Sequence, residues 1–138
     1  MTLLRILIVC FALLAIGAAE SESEWVPVRV VGIDYPVLAR QSRTAGIVRV
    51  QCDIASDGSV AKATITSGSL LLGSSILEGI GDWRFQKAPS TVRPRSNRVT
   101  LTVTFILRDA TTMHTKTQFV YDYPYNVTVV STPVYRSH

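Results

Sequence analysis

The sequence predicts an α+β fold, a small two-layer sandwich in which an antiparallel three-stranded sheet, open to extension by C-terminal strands, packs against two helices. Two alternating segments joined by a tight turn, an apolar helical period after them, and a later long alternating segment predict it. The chain has 138 residues, room for one ordinary domain. Its 47% hydrophobic and 17% charged residues exclude a disordered chain, and a net charge of +4 is too small to indicate nucleic-acid binding.

The N-terminus has the pattern of a secretory signal peptide. Arg5 supplies a positive charge, residues 6–19 are uniformly apolar, and small residues precede Glu20. We predict cleavage after Ala19, which makes residues 1–19 a signal peptide and leaves the protein periplasmic or secreted. The alternative is an inner-membrane anchor through residues 6–19, with membrane contact only if the leader is uncleaved. A spanning helix needs about 20 apolar residues, so the run is short for that role.

The next residues predict a lead-in followed by a short helix. Residues 20–32 begin with an acidic, serine-rich stretch, and Val26 to Ile33 could form a short strand or an extended segment. Pro36 is suited to the first turn of a helix, and polar residues run on to Thr44. We therefore predict a helix near Pro36 to Ser42.

A hairpin is predicted over residues 46–67. Gly46 to Ile54 alternates as a half-buried strand does, and Ala55 to Gly58 has the composition of a tight turn. Val60 to Ser67 returns as a second strand, with a bulge near Val60 because that residue breaks the alternation. The residues predicted to face the core are Val48, Val50, Cys52, Ile54, Ala61, Ala63 and Ile65.

The second half predicts a helix and a third strand. Leu72, Ile76, Ile80 and Trp83 fall on one helical face. A loop is predicted over Gln86 to Asn97, and the clearest strand is Arg98 to Leu107. Its inward residues are Val99, Leu101, Val103, Phe105 and Leu107, and its outward residues are Thr100, Thr102, Thr104 and Ile106. Further short strands are predicted at Phe119 to Tyr121 and Val127 to Val130, with Asp122-Tyr123-Pro124 as the turn between them.

The chain shows no catalytic constellation, and we predict a protein that is not an enzyme and has no catalytic residue, metal site or cofactor. His114 and His138 lack Cys, Asp or Glu neighbours at ligand spacing. Gly68 to Ser75 resembles a phosphate-binding loop, but Ser74 occupies the position of the required lysine. We interpret it as a strand-to-helix turn whose leucines enter the core. Cys52 lies on the inward face of its strand, which predicts a buried thiol.

The charged residues allow two further interpretations. Asp53 and Asp57 flank the hairpin turn, where carboxylates are usually solvated. Five basic residues lie around one loop, which is typical of a solvated face or, as an alternative, of a surface that binds an anionic polymer. They are Arg84, Lys87, Arg93, Arg95 and Arg98.

Residues 33–107 carry short motifs in an order that resembles the TonB C-terminal domain family, and residues 108–138 would be a C-terminal extension. Tyr35-Pro36 comes first, followed by a strand that opens at Gly46, then Asp57-Gly58, and finally Trp83-Arg84-Phe85 after a helix. The motif residues expected to be structural are Tyr35, Pro36, Gly46, Asp57, Gly58, Trp83 and Phe85.

The resemblance implies a protein partner. Members of the family couple inner-membrane energy to transport through outer-membrane receptors, and they bind the receptor's N-terminal segment as an added strand on the last strand of the sheet. That strand matches Arg98 to Leu107, so the implied partner-binding residues are Arg98, Thr100, Thr102, Thr104 and Ile106. The implied partner is a protein or peptide, and no nucleic acid.

One departure puts energy transduction in doubt. Transducing members have a retained membrane helix and a long spacer, whereas the five residues Glu20 to Glu24 span under about 18 Å. The alternative is a structural or assembly protein of the cell envelope that reuses the fold, including as a homodimer through the same edge.

The tail completes these predictions. An unpaired strand edge with uncharged outward residues invites aggregation unless something covers it. We predict that residues after Asp109 cap the edge of Arg98 to Leu107 or pack over the open sheet face, and so compete with a peptide ligand. The alternative is a frayed tail.

Overall fold

A computed structural model describes residues 24–89, 95–109 and 116–134. Its elements, in chain order, are β1 (Trp25–Arg29), α1 (Val37–Gln41), β2 (Gly46–Ile54), β3 (Val60–Ser67), α2 (Leu70–Gly79), β4 (Arg84–Lys87), β5 (Arg98–Leu107), β6 (Gln118–Asp122) and β7 (Asn126–Ser131). The α+β class predicted from the sequence is confirmed.

The β2–β3 hairpin forms with the predicted bounds, but one of its inward residues is wrong. Ile54 pairs with Val60 and Asp53 pairs with Lys62, so Ala61 is the extra residue of a bulge and is exposed rather than buried. The bulge reverses the alternation at this point, and Ala63 and Ile65 then face the core. The predicted irregularity beside Val60 is confirmed.

Within the described residues, the main sheet has five strands in the order β3-β2-β5-β7-β6, rather than the three strands of the minimal prediction. β5 pairs antiparallel with β2, while β7 pairs parallel with β5 and antiparallel with β6. The predicted tail strands and the turn between them are therefore confirmed. The sheet is mixed because β6 runs opposite to β5, and the following turn reverses the chain so that β7 runs parallel to β5.

The predicted loop over Gln86 to Asn97 is wrong at its start, because Gln86 and Lys87 belong to a strand of a second, two-stranded sheet. β4 extends through Lys87 and pairs antiparallel with β1. It is tied to the hairpin turn, where Phe85 N donates to Gly58 O at 2.8 Å and Ser59 bridges Arg84. The alternation of β4 was not recognisable because only one of its four residues, Phe85, is buried.

The predicted helical face is split between two kinds of helix. α2 ends at Gly79, a 3-10 turn carries Ile80, and Trp83 follows it in extended backbone. All four residues of the predicted face are nevertheless buried. Ser69 is the N-cap of α2, and its Oγ accepts from Leu72 N. The prediction that the leucines of this turn enter the core is wrong for Leu70, which is 76% exposed.

One hydrophobic core lies between the helices and the inward face of the five-stranded sheet. It is composed of Val48, Val50, Cys52 and Ile54 from β2, Val99, Leu101, Val103 and Phe105 from β5, Val127 and Val129 from β7, and Leu72, Ile76, Ile80 and Trp83 from the helical segment, with Trp25, Ile33, Tyr35, Ala39 and Phe85. Because β7 contributes to it, the tail is part of the folded domain.

Some of the sequence predictions fall outside the described residues. They include the signal peptide or anchor at residues 1–19, the two histidines His114 and His138, and Arg93 of the basic loop. Among residues 24–89, 95–109 and 116–134, no helix has the length and apolarity needed to cross a membrane.

Candidate strand-addition site

The strand predicted to bind a partner, β5, is paired on both sides along most of its length. Its six residues Thr102 to Leu107 pair with Asn126 to Ser131 of β7. The ladder is closed at its ends, where Thr102 N donates to Tyr125 O and Arg108 N donates to Ser131 O, each at 2.9 Å. This stretch of β5 is therefore not an open edge, because the chain's own tail occupies it. The predicted capping by the tail is confirmed.

The five predicted partner-binding residues divide into two groups. Arg98 and Thr100 precede the stretch that pairs with β7 and are exposed. Thr102, Thr104 and Ile106 lie within that stretch and are half-buried on the outward face of the sheet. Their role in binding a partner stays a prediction.

Buried side chains and a distant arginine hold β7 in place. Val127 and Val129 are 1% and 0% exposed. Just after the strand, Arg40 Nε of α1 donates to Thr132 O at 2.8 Å, and Val134 N donates to Arg40 O at 3.3 Å. We call this pair of hydrogen bonds the Arg40 clasp. The alternative of a frayed tail is wrong for residues 116–134.

The sequence contained no signal for the Arg40 clasp. Arg40 and Thr132 are 92 residues apart, and Thr132 takes part through its backbone carbonyl, which every residue has. The β6 strand adds a second contact that was not predicted. The rings of Tyr121 and Trp83 meet edge to face, with their centroids 6.1 Å apart. Burial, with smaller contributions from Tyr123 and Tyr125, raises the pKa of Tyr121.

The family-motif residues tie neighbouring elements together. Tyr35 Oη donates to Thr44 O at 2.6 Å, and its ring meets Phe105 of β5 edge to face at 5.2 Å. Burial raises the pKa of Tyr35. Pro36 is the residue before α1, and Gly46 opens β2 with a φ of +136°.

The remaining motif residues fix the hairpin turn and the segments beside β1 and β4. Trp83 Nε1 donates to Val31 O at 2.9 Å. Gly58, at a φ of +87°, presents its carbonyl to Phe85 N. Asp57 accepts from both the hydroxyl and the amide of Ser59, and these hydrogen bonds hold the pKa of Asp57 below its usual value. Asp57 is therefore a turn residue that stays ionised, with no proton to offer as a general acid at neutral pH.

The basic residues around the loop are partly engaged in the fold. Arg84 Nη1 donates to Gly81 O and Trp83 O, and Arg98 Nε lies 3.3 Å from Asp53 Oδ1 across the β2–β5 pair. Arg93 lies outside the described residues. The arrangement gives less support to a surface for an anionic polymer, because two of the cations already have partners.

Cys52 has the chemistry of a core residue. It is 0% exposed, and burial, reinforced by the charge of Asp53, raises the pKa of its thiol to about 12. A thiol of that pKa is not a nucleophile near neutral pH. Within residues 24–89, 95–109 and 116–134, no three His, Cys, Asp or Glu residues are grouped so that they could hold a metal ion.

Comparison with known proteins identifies the family. The model of the family described as "Gram-negative bacterial TonB protein C-terminal" matches residues 31–107, more than half of the chain. The chain belongs to the TonB C-terminal family. β6 and β7 lie beyond the matched residues, so the strand that closes β5 comes from outside the TonB-like segment.

Structural comparison also finds a TonB domain. The solution NMR structure of the Pseudomonas aeruginosa TonB C-terminal domain is 24% identical in sequence to the chain, with a TM-score of 0.45. The match covers 60% of this chain and 86% of that one. No curated protein matches the chain. Membership makes the chain a TonB-like module of an envelope-associated family whose members interact with outer-membrane receptors through protein contacts.

Proposed function

We propose that the chain is an exported, non-enzymatic protein-interaction module of the cell envelope, which takes an extended partner segment as an added strand on β5. In the TonB C-terminal family that segment is the N-terminal peptide of an outer-membrane receptor, and such a receptor is the proposed partner. The observation that carries the proposal is that β5 already accepts a parallel strand over six residue pairs, supplied by β7. Backbone hydrogen bonds at a sheet edge are the basis of strand addition.

β7 must be released before a partner can occupy the same edge. Release exposes Val127 and Val129, at about 1.5–3 kcal/mol each, and opens the hydrogen bonds at the ends of the ladder and in the Arg40 clasp, at about 0.5–1.5 kcal/mol each. The total is on the order of 5–12 kcal/mol. A peptide that replaces β7 regains part of this by making the same ladder, so the tail lowers its apparent affinity without abolishing binding.

The closed edge also favours a second candidate. A structural or assembly protein that reuses the TonB fold has no need of an accessible β5, and a β7 whose valines are fully buried is suited to a permanent fifth strand. In this alternative the family's energy coupling is absent.

Peptide titration separates the two candidates. Isotope-labelled full-length chain and a chain ending at Asp109 are titrated with an extended peptide that copies a receptor N-terminal segment, and amide exchange is followed at Thr102 and Arg108, whose N–H groups bond the tail. The proposal expects tight binding to the truncated chain, weak binding to the full chain, and recovered protection of both amides by the peptide.

A second variant guards against a truncation that fails to fold. Val129→Thr keeps the shape of the side chain but buries a hydroxyl, which costs roughly 1–3 kcal/mol and loosens β7 without removing it. Val120→Thr on the exposed face of β6 is the matched control. If the folded Val129→Thr chain binds the peptide no better than the control, and the truncated chain binds none, strand addition at β5 is excluded and the structural alternative stands.

A further inference from the structure

The two outer edges of the five-stranded sheet differ in how they are protected. β3, at one edge, has register irregularities at both ends of its pairing with β2 and carries the exposed Lys62 next to the first of them. Bulges and charged residues of this kind are what natural sheets use to prevent a second strand from pairing. β3 is therefore a poor site for strand addition.

The opposite edge, β6, lacks this protection. It pairs with β7 over Gln118 to Asp122 without any shift of register, and its three central residues are the uncharged Phe119, Val120 and Tyr121. Val120 is 52% exposed. In the part of the chain that the structure describes, no strand pairs with the outer side of β6. Its outward-pointing amides and carbonyls are a template for another strand.

The charges around β6 are complementary to those of a second β6. Thr117 lies beside Ser131, one step beyond the Gln118–Val130 pair, with Thr117 Oγ1 and Ser131 Oγ 3.0 Å apart. Continued alternation then puts Lys116 on the outward face with Val120 and Asp122. Lys116 and Asp122 are both exposed and stand at equal distances in sequence from Phe119. An antiparallel pair of β6 strands centred on Phe119 therefore places each Lys116 opposite the Asp122 of the other copy.

We propose that two copies of this chain associate edge to edge through β6, with a two-fold axis at Phe119 and a Lys116–Asp122 ion pair at each end of the shared ladder. Side chains directly opposite each other in an antiparallel pair lie about 4.5–5.5 Å apart at Cβ, which is within reach of an ion pair. The interface uses the same patch on both copies, as a two-fold dimer requires, and it joins the two sheets into one. It leaves β7 on β5, so it does not depend on the function proposed above.

Charge reversal tests both the interface and its register. Lys116→Glu and Asp122→Lys each convert both ion pairs of the dimer into like-charge pairs. We expect each variant alone to dimerise roughly tenfold or more weakly than the unaltered chain in sedimentation equilibrium. An equimolar mixture of the two restores opposite charges at both ends, so we expect it to form a heterodimer of near-native strength. The double variant is expected to dimerise with itself for the same reason.

Lys62→Glu on the opposite edge makes the same change of charge as Lys116→Glu and is the control, with no expected effect on association. All of these residues are exposed, so the fold should tolerate each change. A full-length chain that remains monomeric would overturn the proposal. The proposal would also be overturned if both single reversals left the dimer intact, or if the two weakened variants did not form a heterodimer when mixed.

Discussion

Gly58→Ala is expected to be among the most damaging single substitutions in the chain. Gly58 lies in the β2–β3 turn with a φ of +87°, and a Cβ placed there would be 2.0 Å from Phe85 O and 3.2 Å from the carbonyl carbon of that residue. A residue other than glycine costs roughly 1–2 kcal/mol in left-handed backbone. The clash is with backbone, so it cannot be relieved by rotating a side chain.

The clash must therefore separate β4 from the hairpin turn. That movement breaks the Phe85 N to Gly58 O hydrogen bond, at about 0.5–1.5 kcal/mol, and draws the 3%-exposed Phe85 ring partly out of the core. With the backbone term, the expected loss in the free energy of unfolding is about 3–5 kcal/mol. Gly81→Ala is the matched control, because a Cβ there has nothing within 4 Å. It should change stability by less than about 1 kcal/mol.

Urea unfolding followed by tryptophan fluorescence measures both variants, since Trp25 and Trp83 are buried. We expect the midpoint of Gly58→Ala to fall well below that of Gly81→Ala at a similar m-value. The reasoning would be refuted if the two glycine variants unfolded at the same urea concentration, because the close approach of Phe85 O would then have no energetic weight.

Two further predictions concern the tail and the core thiol. Arg40→Ala removes the donor to Thr132 O, so we expect a loss of about 1 kcal/mol and about fivefold faster amide exchange in β7, whereas Arg49→Ala, on the exposed face of the sheet, should leave that exchange unchanged. Equal exchange in the two variants would contradict the Arg40 clasp. Cys52 should resist alkylation near pH 8 unless the chain is unfolded, because its thiol pKa is about 12. Folding raises this pKa above 9.0, so the protonated thiol's contribution to stability is complete below pH 9 and falls as pH rises toward 12, by roughly 1 kcal/mol at pH 10. An identical fall between pH 8 and pH 10 in Cys52→Ala would contradict this assignment.

Local patterns in the sequence were sufficient for the elements whose burial repeats regularly. The bounds of β2 and β5 follow from strict alternation, because a strand with one buried face must alternate, and the start of β3 follows from the turn residues before it. The family motifs were also recognisable, since Gly58 and its neighbours meet requirements of the local backbone. β4 was missed because its four residues bury a single side chain, and a pattern of one cannot show a period.

Tertiary structure alone decided which edges of the sheet are open. The sequence predicted strands in the tail, but its periodicity is the same whether such a strand pairs with β5, covers the sheet face or pairs with another molecule. The parallel pairing of β7 with β5 depends on backbone groups that every residue carries, on buried valines that fit beside Phe105, and on a hydrogen bond between residues 92 apart. Local sequence determined where this chain forms strands, and long-range packing determined that β5 is closed and that β6 is the outer strand of the described sheet.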